Sequence, residues 1–110
     1  MTGSAKRKGD RAELEVAALL SELGWQSRRK LGAGRADDTG DIDVIGASVV
    51  VQVADWKDKV AAIRAKVPDA ETQRQNDGAR FAATFLRLWG GDYVVVLSPE
   101  QWAAYLEAAS

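Results

Sequence analysis

The run VVVQVA, Val49–Ala54, constrains this chain more than any other stretch. Consecutive valines are strand formers, and Gln52 stands where the pattern wants a buried side chain. The run stops at the small Ala54 and a charged loop, DWKDK. Just before it, DIDVIG (Asp41–Gly46) is a second β run, and Gly46–Ala47 between the two predicts a hairpin. Side chains on a strand alternate, so Asp41 shares a face with Asp43, and Gln52 with Ala54. Pairing the strands brings an aspartate within reach of Gln52.

Around this hairpin the chain reads as α-β-β-β-α-β-β-α. Ala12, Val16, Leu19, Leu20 and Leu23 fall at helical spacing from Asp10 on, with Gly24 as the stop. WQSRRKL (Trp25–Leu31) reads as a strand with Gln26, Arg28 and Lys30 on one face, and Gly32–Gly40 as a mobile loop. Residues 56–67 are expected to be a helix or a partly ordered segment, with Pro68 permitting a fresh helix start. RFAATFLRLW and DYVVVLS read as strands around Gly90–Gly91. Ser98, Pro99 and Glu100 then form a helix start signal. With 110 residues the chain is expected to be one α/β domain, residues 9–110, built on a mostly mixed sheet, behind a flexible basic arm of residues 1–8.

Composition removes several chemistries. There is no cysteine and no histidine, which excludes thiolate metal sites, a cysteine nucleophile, zinc hydrolase sites and serine–histidine triads. Carboxylates, amides, lysines and hydroxyls remain, with a hard metal where one is used. No apolar run approaches the roughly 20 residues of a membrane span, so a cytoplasmic protein with no membrane partner is expected. Residues 1–35 carry eight Lys/Arg against four Asp/Glu, a net of +4, and the remainder nets −5. A basic front beside an acidic body suits a polyanion-binding face next to a carboxylate cluster; scattered surface charge is the plainer reading. A carboxylate, a glutamine carbonyl and a backbone carbonyl are hard oxygen ligands of the kind that hold Mg²⁺.

Three segments, KGDRAELEVAALLSELGW, DDTGDIDVIG and VVVQV, together resemble the PD-(D/E)XK nuclease superfamily, and within it the archaeal-type and phage Holliday junction resolvases. AETQRQNDGA (Ala70–Ala79) is similar to the helix that follows the site in phage relatives. The likeness covers about residues 8–97. It implies a restriction-endonuclease-like αβββαβ core with a mixed central sheet flanked by helices. It also implies Mg²⁺- or Mn²⁺-dependent cleavage of four-way or other branched DNA by a homodimer. By this resemblance Glu13 is the helix glutamate that reaches the metal, Asp41 the metal-binding aspartate with Asp43 its rival, Gln52 the residue in the place of the usual glutamate, and Val53 a backbone carbonyl ligand.

The departure is Ala54, where the family carries a lysine. Three readings are open: an alanine put in place of a lysine, Lys57 taking over the role, or DNA binding kept without cleavage. Lys6, Arg7, Lys8, Arg28, Arg29, Lys30, Arg35 and Gln73 are the expected nucleic-acid contacts, positioning DNA without reading sequence. The tryptophans are expected in the core or at a dimer interface, with Trp56 the exception. Trp102, Tyr105 and Leu106 of the last helix would offer the dimer surface. Rival functions are a restriction or repair endonuclease of the same fold, a non-catalytic nucleic-acid-binding module, and a protein-interaction domain.

Overall fold

The computed structural model describes residues 3–30 and 41–110, with side chains from Lys8 onward. The Gly32–Gly40 loop with Arg35, and the side chains of Lys6 and Arg7, lie outside the described residues. The order is α1 (Gly3–Glu22), β1 (Ser27–Arg29), β2 (Ile42–Val44), β3 (Val49–Ala54), α2 (Lys59–Asp77), β4 (Phe81–Arg87), β5 (Tyr93–Val96) and α3 (Pro99–Ala109). This is an α/β architecture with one five-stranded sheet in the order β1-β2-β3-β4-β5. All neighbours are antiparallel except β3 and β4, which run parallel. A parallel pair needs a crossover, and α2 supplies it.

Strand alternation sorts the two layers. Val51 and Val53 join Ile42, Val44 and Phe85 in a core closed by Ala12 and Val16 of α1. Gln52 and Ala54 face the other way, where Ala54 and Leu86 pack on Ala62 of α2. The β2–β3 turn uses Gly46 at φ 86, a left-handed conformation that glycine adopts without a Cβ penalty. At the far edge Ser98 caps α3 by accepting from the Gln101 N–H at 3.1 Å. The Gln101 side chain accepts from the Ala82 N–H at 2.9 Å, standing in for a strand partner beyond the end of β5.

Three expectations change. The first helix begins at Gly3 rather than Asp10. Pro68 does not restart a helix but sits inside α2. A proline there supplies no N–H to the carbonyl one turn back. The helix nevertheless continues, because packing on β3 and β4 holds buried residues on both sides of it, Ala62 before and Ala70 and Gln73 after, and Asp58 and Gly78 cap its ends. Pro68 is exposed, so Pro68→Ala should stabilise the fold by about 1–3 kcal/mol, read as a higher urea midpoint at unchanged slope. An unchanged or lower midpoint would mean that α2 is not continuous through this position. Finally, the core placement of the tryptophans falls away: Trp25, Trp89 and Trp102 are exposed, as is Trp56, the expected exception. Among the described residues, no helix is long and apolar enough to cross a membrane.

Candidate active site

The β2–β3 register pairs Ile42 with Val51, and Asp41 immediately precedes β2. The Asp41 backbone N–H donates to the Val51 carbonyl at 2.8 Å. Its carboxylate accepts from the Val53 N–H, also at 2.8 Å. Main chain and side chain together therefore fix this aspartate against the end of β3. A charge-assisted bond of this kind is short and directional.

The first helix brings Glu13 to the same place. Burial pushes the Glu13 carboxyl above its usual range, the nearby Asp41 charge pushes it further, and Arg29 pulls it back. The two carboxylates therefore lie within electrostatic reach of each other. Arg29 bridges the pair to a third acid: its Nε donates to Glu13 at 3.0 Å and its Nη2 to Asp10 at 2.6 Å. Expected as a DNA contact, Arg29 is instead engaged with carboxylates. On β1, Ser27 and Arg29 alternate onto the α1 side, where the Ser27 hydroxyl donates to the Ala17 carbonyl at 3.0 Å. Arg28 points outward, exposed, and its Nη2 meets Asp43 at 3.4 Å. Asp43 is thus drawn to β1 and away from the Glu13–Asp41 pair.

From the α2 side the ammonium of Lys66 donates to the Gln52 Oε1 at 3.3 Å. Gln52 is only 1 % exposed, so its carbonyl meets Lys66 out of contact with bulk water. Ala62, Lys66, Ala70 and Gln73 form one stripe of α2, three to four residues apart, that faces the sheet. This stripe explains two further placements. Gln73 is 4 % exposed, packed toward the sheet rather than offered to a nucleic acid. Ala54 is 2 % exposed, pressed against Ala62 and Leu86. Lys57 lies exposed in the bend between β3 and α2.

Thr84, the β4 register partner of Gln52, is also buried. Its hydroxyl and the Gln73 Oε1 have no hydrogen-bond partner among the described residues. Buried polar groups nearly always find partners, so this layer is more polar than packing alone calls for.

Glu13, Asp41 and Val53 are thus gathered where the middle of α1 meets the β2–β3 pair, with Gln52 next along β3, whereas Asp43 and Lys57 are not, and Ala54 is walled in. Lys66 and Asp10 enter without having been expected. Lys66 was legible only if residues 56–67 were helical, which puts it one turn after Ala62. Among the described residues no three or more carboxylate, histidine or cysteine groups come together as a cation site. Even so, the carboxylates of Asp41 and Glu13 with the Val53 carbonyl are hard oxygen donors. They fit a divalent ion that binds through one or two carboxylates and keeps several waters. No family model, curated protein or solved structure matches the chain.

Proposed function

We propose that this chain is a metal-dependent DNA endonuclease of the PD-(D/E)XK kind, cutting branched DNA in the manner of a Holliday junction resolvase. In this reading the lysine comes from α2 rather than from the end of β3. The observation that carries it is the Lys66 ammonium on Gln52 at 3.3 Å, one residue along β3 from the Val53 amide that anchors Asp41. The αβββαβ order and the parallel β3–β4 pair agree with the implied restriction-endonuclease-like core.

A bound Mg²⁺ or Mn²⁺, held by Asp41, Glu13 and the Val53 carbonyl, would supply an activated water and counter-charge for the phosphodiester. The protein's own share is positional and electrostatic. Gln52, buried and accepting from Lys66, orients the ammonium. Lys66 offsets the charge that builds on the phosphate as the bond breaks, an effect strengthened by its half-buried setting. Arg29 keeps Asp10 and Glu13 in place before substrate arrives. Lys8, Arg28 and Lys30, described members of the expected basic face, would contact the phosphate backbone. A dimer through the exposed Trp102, Tyr105 and Leu106 would set two such centres on two strands.

A second reading, DNA binding without cleavage, is favoured by the Arg29 clamp, which already neutralises part of the acidic pair. Labelled four-way junction and linear duplex, incubated with Mg²⁺ or Mn²⁺, separate the two. Cleavage of the junction, reduced about 100-fold or more in Asp41→Asn with binding retained, is the expected result. Binding without cleavage would leave the binding module. No binding at low salt would point to a protein-interaction domain.

A further inference from the structure

We propose that Trp89, supported by Lys59 and Trp56, is a stacking platform for an unpaired nucleotide base. This rests on the nucleic-acid reading of the same site and names the substrate feature it selects. Because β3 and β4 run parallel with Ala54 paired to Leu86, the β3–α2 bend and the β4–β5 turn leave the same end of the sheet. The turn is tightly made. The Leu88 N–H donates to the Asp92 carbonyl at 2.7 Å and the Gly91 N–H to the Leu88 carbonyl at 3.2 Å, with Gly90 and Gly91 at φ 90 and 89. On this rigid tip Trp89 stands 76 % exposed. The Lys59 ammonium lies 5.7 Å from the centre of its ring. Trp56, 39 % exposed, sits in the adjoining bend.

The local charges select the ligand. Asp55 is taken by Arg11 at 3.0 Å, and its side chain is only 6 % exposed. Asp58 is spent on the α2 cap, accepting from the Ala61 N–H at 3.0 Å. Lys57 and Lys59 are the cations of the bend, Lys59 over the Trp89 ring, with the exposed Asp58 and Asp92 as the acids nearby. Cations interleaved with exposed aromatic rings suit a phosphate-linked base. In a duplex the base faces are already stacked, so the platform serves a base freed at a branch or on a single strand. Three strand residues, about 10 Å, separate Val53 from Trp56. That is about three nucleotides of stacked strand from the proposed cleavage centre.

The test is fluorescence anisotropy with a labelled 12-mer of thymidine and with a blunt duplex of the same length, at low salt in EDTA. No cleavage can contribute under these conditions. Trp89→Ala should weaken single-strand binding about tenfold or more and change duplex binding less than twofold. Trp56→Ala should have a smaller effect of the same kind, and thermal melts should match the wild type. Unchanged single-strand binding, equal loss on both substrates, or no single-strand binding by the wild type would overturn the platform. A junction that is still cut while Trp89→Ala binds single strands normally would remove the platform and leave the nuclease reading intact. Stacking on Trp89 in a chain that never cleaves would do the reverse.

Discussion

Lys66→Met should lower metal-dependent cleavage of a four-way junction by two to three orders of magnitude. Methionine keeps the length and the apolar stem of lysine, so the α2 stripe stays filled. What is removed is one charged donor in a half-buried setting, and removing a single such donor typically costs about 10²–10³ in rate. Stability should fall by no more than about 1–3 kcal/mol, because the buried Gln52 carbonyl loses its donor. Junction affinity should stay within a few-fold, since one ammonium among several basic groups contributes little to binding. Lys57→Met is the control: exposed in the bend, it should change the rate less than about threefold, within the small effect of an exposed charge. A Lys57→Met variant as slow as Lys66→Met would return the lysine role to the loop.

The second large effect concerns the position where the superfamily places its lysine. Ala54→Lys should destabilise the fold by about 3–5 kcal/mol and gain no activity. Ala54 sits between Ala62 and Leu86, all three essentially sealed from water. A four-carbon stem there overpacks the layer, at about 1–3 kcal/mol, and a desolvated ammonium adds several more unless it escapes. Against a total stability of about 5–15 kcal/mol this is a large fraction, and it should appear as a drop in Tm of more than about 10 °C. A stable, faster Ala54→Lys variant would mean that Ala54 stands where a lysine belongs and that α2 moves aside to admit it.

Much of the scaffold was legible because strand and helix periods differ. The valine run, the Gly46 hairpin, the Gly90–Gly91 turn and the Ser98–Pro99 helix start all lie where local chemistry puts them. The element order follows from those signals. The centre itself was less legible. Glu13 and Asp41 were visible by motif, yet which aspartate joins the cluster depends on β1, whose Arg28 draws Asp43 away. Arg29 looked like part of a basic patch because charge counting ignores alternation; one residue along the strand turns it onto α1 and its acids.

Lys66 was hidden because residues 56–67 read equally as a helix or a partly ordered segment. Only as a helix do Ala62 and Lys66 stand in the i, i+4 relation that points both at the sheet. Tertiary packing overrides the local preference of Pro68. Gln73 was misplaced because its helix packs on the sheet, which turns it inward with Ala70.

The claim that Lys66 supplies the charge for phosphodiester cleavage can be tested by chemical replacement. The chain has no cysteine, so Lys66→Cys introduces a unique thiol, which 2-bromoethylamine converts into a lysine-like ammonium. Junction cleavage with Mg²⁺ is then measured for the wild type, the cysteine variant and the aminoethylated variant. The expected result is cleavage by the wild type, loss of about 100-fold or more in the cysteine variant, and recovery of most of that loss on aminoethylation. A cysteine variant as active as the wild type, or an aminoethylated one that stays inactive while the wild type cuts, would contradict it.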